Sequence, residues 1–216
     1  MGDSINLVSL VICVPPLVES NHLSGGWRKF VSSLLSLLLV FGANAFGQET
    51  MTPARFREIV ALPGDAVPLV PPLVRVPFWT NSTVNVELKY ATGKVFQEEV
   101  AVKARTVSGK YVVFDGYSQF YHQPMSSLLT YDEKSSDLKL YGLYADSQGN
   151  PLVTVGVGKY DATHKTYTVT SAYGEGFKET TQGVYTDTED TAKTVVLKNG
   201  VLFMTRVVKT HPLVAK

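Results

Sequence analysis

The sequence predicts an all-β protein: an antiparallel up-and-down meander of about ten strands that closes into a barrel, preceded by a short helix and a proline-rich extended segment. Three observations predict it. Apolar and polar residues alternate from Asn81 to the C-terminus, the period of strands with one buried and one wet face. Turn-forming residues recur every eight to fourteen positions or so. No interval between strands is long enough to hold a crossover helix, which excludes parallel pairing.

Taken in order, the chain opens with what reads as a leader and signal peptide over residues 1–45. Arg28 and Lys29 precede the apolar run FVSSLLSLLLVF, Phe30 to Phe41, and Ala43-Asn44-Ala45 follows it. A basic flank, an apolar segment of about 7 to 15 residues and an A-x-A site form an export signal. The run is too short to span a bilayer, which takes about 20 apolar residues. Cleavage is expected after Ala45, with Gly47 as the second choice. The stretch Met1 to Trp27 is long for a leader and fits either a start codon assigned too far upstream or a long n-region. The expected location is therefore periplasmic or extracellular. Cys13, the only cysteine, falls in this leader, so the mature chain has no thiol for a disulfide, a nucleophile or a metal.

Residues 46–80 form the second segment. Thr52 as N-cap, Pro53 at the first helical position and the stripe Phe56, Ile59, Val60 and Leu62 predict a short helix that Pro63-Gly64 stops. Five prolines between Pro63 and Pro77 then exclude helix and central strand. The segment is too apolar for a free linker. Val67, Leu69, Val70, Leu73, Val74 and Val76 are expected to lie over the domain or close one end of it.

Residues 81–212 form the barrel domain. Strands are predicted near 83–91, 94–107, 110–122, 126–132, 137–146, 152–160, 164–173, 177–186, 191–198 and 201–210. Asn199-Gly200 is the sharpest hairpin signal, since it supplies the two positive φ values of a type I′ turn. Gly156 and Gly158, inside one strand, permit close packing or tight bending of a barrel wall. An internal echo recurs: Tyr131-Asp132, Tyr160-Asp161 and Tyr185-Thr186-Asp187 each close a strand with an aromatic and open a polar turn. Asp there can accept bonds from the backbone just beyond it. Every second turn is alike, as in a barrel whose two ends differ.

These Tyr-Asp turns with the tyrosines of the strands after them (Tyr141, Tyr144, Tyr167), and the run GFKETTQGVYT from Gly176 to Thr186, resemble exported bacterial proteins of unknown function with a calycin-like barrel. Calycins include the lipocalins and the fatty-acid-binding proteins. The resemblance covers about residues 80 to 210. It lacks the lipocalin Gly-x-Trp signature, because Trp79 follows Pro77-Phe78. It implies a carrier of a small apolar or amphipathic molecule. Because fatty-acid-binding barrels hold a carboxylate with an inward Arg and Tyr near the chain end, it also makes Arg206 a candidate for that role.

Composition narrows the alternatives. Lys+Arg 20 against Asp+Glu 19 gives a net charge of +1, without the clustered basic excess of a nucleic-acid binder. The four histidines are far apart, and no metal-ligand spacing, phosphate loop, dinucleotide fingerprint or nucleophile elbow occurs. No cofactor is assigned. The missing motifs favour binding over catalysis, although dispersed residues can build an active site. The polar outward positions Asn85, Glu87, Lys89 and Lys139, three of them charged, argue against an outer-membrane barrel.

Candidate ligand-binding residues are Arg206, Glu179, His122 and Tyr117. Arg206 shares a face with Leu202, Met204 and Val208, and Glu179 with Phe177 and Tyr185; inward, the two would pair or bind an ionic ligand. The opposite face of the last strand, Val201, Phe203, Thr205 and Val207, is equally apolar, so its orientation stays open. His122 stands at a strand end beside an aromatic pair, and Tyr117 offers a ring with a reachable hydroxyl. The competing function is a structural or protein-interaction module whose barrel is filled by side chains.

Overall fold

Helix α1, Pro53–Ala61, starts as its cap residues dictate in the computed structural model, which describes residues 50–70, 73, 76, 78–119, 122–145, 150–173 and 176–213. The leader and signal peptide expected over 1–45 lie outside the described residues. Thr52 Oγ1 accepts a hydrogen bond from the Arg55 N–H at 3.2 Å. Phe56 and Ile59 are buried against Val107, Val113, Leu128 and Tyr141. Leu62 departs from the expected stripe and stands exposed, because the residue before Pro63 is pushed to an extended backbone, ψ 141°, and leaves the helix axis.

Ten strands follow: β1 Asn81–Tyr90, β2 Val95–Val107, β3 Tyr111–Ser118, β4 Gln123–Asp132, β5 Asp137–Ala145, β6 Pro151–Asp161, β7 Thr166–Tyr173, β8 Phe177–Tyr185, β9 Asp190–Lys198 and β10 Val201–Pro212. Each pairs antiparallel with its sequence neighbour, and β1 pairs with β10, so the sheet is a closed up-and-down barrel. Closure leaves no unpaired sheet edge. Helix α1 lies outside this wall, over β4, β5 and β6.

The proline-rich segment plugs one end. The Asp65 N–H donates to the Thr106 carbonyl at 3.0 Å and the Val70 N–H to the Gly109 carbonyl at 2.9 Å, which ties the segment to the end of β2 and the β2–β3 turn. Leu73, Val76 and Trp79 are then buried in one cluster with the inward residues Val84, Val86, Leu88, Val112 and Phe114. Phe78 meets Phe114 edge-on, ring centres 6.4 Å apart. Val67 does not join this cover and is exposed; Val74 lies outside the described residues. The apolar alternation of the strands therefore needs the plug as its complement: a wide barrel with modest side chains is closed by a segment that cannot itself pair into the sheet.

The Tyr-Asp turns all fall at the plugged end, as alternate connections of a meander must. Asp132 accepts from the Lys134 N–H at 3.0 Å, and Asp161 from the Thr163 and His164 N–H groups at 2.9 and 3.1 Å, so both acids shape their own turns. Asn199-Gly200 makes the expected β9–β10 hairpin with φ values of 51° and 82°. The alternation of β10 is broken once. A bulge between Leu202 and Met204 turns the ring of Phe203 toward the barrel mouth together with Tyr90 and Phe177, while Met204, Arg206, Val208 and Thr210 line the interior. The bulge accounts for Phe203 among the apolar residues of the other face, whereas Val201 stands exposed and Val207 partly so.

Candidate functional site

Two layers meet at the end of the barrel opposite the plug. The inner layer is polar. Strand pairing sets Ser171 beside Glu179, Thr181 beside Thr194, and Arg206 beside Thr194, all pointing inward. Arg206 Nη2 donates to Glu179 Oε2 at 3.5 Å and to Thr194 Oγ1 at 3.4 Å; Ser171 donates to Glu179 Oε1 at 3.4 Å, and the Thr181 and Thr194 hydroxyls stand 2.8 Å apart. Arg206 is 4% exposed and Glu179 7%. Two buried charges are tolerated here because each meets an opposite charge and hydroxyls supply further partners. On β2, one strand removed from β10, inward Glu98 accepts from the fully buried Ser118 hydroxyl at 3.0 and 3.1 Å.

The outer layer is aromatic. Tyr90 closes β1, Phe96 is second in β2, Phe203 sits on the bulge of β10, Phe177 opens β8, Tyr173 closes β7 and Tyr144 lies near the end of β5. Their rings form a continuous chain in that neighbourhood: Phe96 to Tyr90 at 5.8 Å, Tyr90 to Phe203 at 5.5 Å, Phe203 to Phe177 at 5.2 Å, Phe177 to Tyr173 at 5.6 Å and Tyr173 to Tyr144 at 6.1 Å. Edge-on and offset contacts of this kind stabilise aromatic pairs by about 0.5–1.5 kcal/mol beyond their area. All but Phe177 keep some solvent exposure. Lys94 stands over the Phe96 ring at 4.5 Å and Lys198 over Phe177 at 4.8 Å, adding positive charge to this rim. Burial pushes the Tyr90 phenol above its ordinary titration range.

Of the residues singled out in the sequence, the fold brings Arg206 and Glu179 together inside the barrel. Tyr117 is on the outer wall, 46% exposed, because its neighbours Gly116 and Ser118 take the inward positions. His122 occupies the β3–β4 turn with φ 52° and faces solvent. Neither reaches the polar layer. Alternation does not single out Phe203, because a bulge cannot be read from period two, nor Glu98 and Ser118, which belong to strands whose inward face is otherwise apolar.

A third interior group lies toward the plug. The Tyr167 hydroxyl donates to Asp190, which is fully buried. Among the described residues no three or more His, Cys, Asp or Glu side chains are grouped to hold a metal ion, and no helix is long and apolar enough to cross a membrane. The single cysteine of the chain leaves no intramolecular disulfide. No family model and no curated protein matches the chain.

Proposed function

We propose that the protein is an exported small-molecule carrier, a looser relative of the calycins, that takes an apolar or amphipathic ligand at the aromatic mouth of its barrel. The observation that carries this is the chain of six rings, five of them partly exposed, set directly above a buried polar layer. Binding sites combine apolar and aromatic walls with a few placed polar groups that fix orientation. Here the rings would cover the ligand's apolar part, while Glu98 with Ser118, and Arg206 with Glu179, would meet its polar end. The outward charges Glu87, Lys89, Glu99, Lys193 and Lys209, around a mostly apolar interior, support a barrel in water and oppose one in lipid.

Displacement of a dansylated fatty acid tests the proposal. Wild-type protein is expected to bind the dye saturably, and Phe203→Ala to weaken it by about tenfold, as loss of one aromatic contact would. Saturable binding that is indifferent to Phe203→Ala and Tyr90→Ala would move the ligand away from the mouth.

A second reading, a filled barrel that works through its surface, draws on a different observation. Leu73, Val76 and Trp79 occupy the plugged half, and Arg206 and Glu179 pair with each other. Absence of any dye binding, together with native mass spectra free of co-purifying ligand, would select this reading.

A further inference from the structure

Outside the barrel, at the plugged end, helix α1 leans against β4 and β5 and leaves a cleft of about 420 Å³. This lies within the range of about 300–1,000 Å³ common for small-molecule sites. Its walls are tyrosines 111, 131 and 141, with Met51 and Val70 completing the apolar surface. Four cations, Arg55, Lys110, Lys134 and Lys139, line it against two carboxylates, Asp132 and Glu133, on a chain whose overall charge is nearly balanced at +1. Charge is also sorted within the cleft. Lys139 Nζ and Asp132 Oδ2 pair at 2.6 Å, with side chains only 15% and 9% exposed, and neutralise each other at one wall. Arg55 leans toward Glu58 at 2.8 Å on the helix. Lys110 comes from the β2–β3 turn and Lys134 from the β4–β5 turn, so two separate elements bring positive charge to the tyrosine-walled space.

We infer that this cleft is a second binding site, for a small aromatic anion whose ring lies among the tyrosines and whose carboxylate or sulfonate meets Lys110 and Lys134. A planar ring suits the phenol walls, which present faces and edges for offset contact. An ammonium is a strongly hydrated point charge on a flexible stem, able to meet an anion held at the cleft edge. The Asp132–Lys139 pair fixes the wall beneath, and burial pushes the Tyr141 phenol above its ordinary range. The site shares no residue with the aromatic mouth, and stands whether or not the barrel carries a ligand.

Titration of the ¹⁵N-labelled protein with 2-naphthoate, followed by amide NMR, tests the inference. Shifts are expected at residues 110, 111, 131 and 134, with affinity falling about tenfold in Lys110→Glu/Lys134→Glu and also falling at high salt, as a partly exposed ion contact requires. The neutral 2-naphthylmethanol is expected to bind more weakly at the same residues. Both lysines are outside the core, and an unchanged amide spectrum elsewhere verifies the double variant's fold. Shifts confined to the mouth residues 90, 177 and 203, equal affinity for acid and alcohol, unchanged affinity in the double variant, or no saturable shift would each overturn it.

Discussion

The ring of Tyr167 covers Gly183 on the neighbouring strand, and its hydroxyl stands 3.3 Å from both carboxylate oxygens of Asp190. A Cβ on Gly183 would fall 1.9 Å from Tyr167 Cζ, far inside contact distance, so only glycine lets the phenol lie across the strand. The ring in turn covers backbone that a glycine leaves bare, the cross-strand aromatic device that compensates glycine in sheets.

Gly183→Ala is therefore expected to destabilise the fold by about 1–3 kcal/mol through overpacking. Tyr167→Phe keeps the ring and removes the bond to the buried Asp190, for a loss of about 1–3 kcal/mol. Urea unfolding of both variants checks this. Wild-type stability in Tyr167→Phe would mean that the Asp190 carboxylate is held without the phenol.

The Arg206–Glu179 pair makes a second prediction. Removing one charge leaves the other buried without its opposite charge, so Glu179→Leu or Arg206→Met should each cost about 3–5 kcal/mol. Replacing both together should recover most of that loss, because the desolvation cost disappears with the charges. A double-mutant cycle measured by denaturant titration gives the coupling, and additive single effects would show that the two residues act independently.

The plug supplies the third. Leu73 is fully buried within the cluster that lines the barrel, whereas Leu62 is exposed at the helix end. Leu73→Ala should lose about 2–5 kcal/mol, and Leu62→Ala should stay within about 0.5 kcal/mol. Equal effects, measured by thermal or urea unfolding, would contradict a plug that forms part of the core.

These residues also mark how far the sequence reaches. Strand positions were legible because period two is imposed by a closed wall with one wet face, and Thr52-Pro53 and Asn199-Gly200 carry their geometry locally. Arg206 and Glu179 were legible as candidate partners because alternation sets each on one face of its strand, but which face of β10 turns inward was not, since both look apolar. The aromatic mouth was not, since it is assembled from the ends of β1, β2, β5, β7, β8 and β10, and its Phe203 depends on a bulge that shifts the face of one strand. Nor was the outer cleft, which exists only once α1 is laid across β4 and β5. The plug was half legible: its composition excluded a linker, and its burial could not be separated into Leu73 and Val76 inside and Val67 outside.

The β6–β7 turn offers a pH-dependent test. His164 Nδ1 and Asp161 Oδ2 lie 2.6 Å apart on the surface. The Asp161 hydrogen bond and its charge raise the His164 titration above its ordinary value near 6.5, while the hydrogen bonds from His164, first its side chain and then its N–H, lower Asp161 below its ordinary 3.8. For the raised histidine, the stabilising contribution is full below the unfolded value and is lost as pH rises through the folded one. For the lowered carboxylate, the contribution is present above the unfolded value and is lost as pH falls through the folded one. The pair therefore supports the turn most between about pH 4 and pH 6.5, and salt weakens it because both groups are exposed. An NMR titration of the His164 ring should show a midpoint above that of an unstructured histidine, returning toward about 6.5 in Asp161→Asn. The same substitution also removes the carboxylate that accepts the Thr163 and His164 N–H bonds, although Asn retains an acceptor oxygen for them. A midpoint that drops while the turn's amide shifts persist assigns the effect to charge; a midpoint unmoved by Asp161→Asn would refute the pairing.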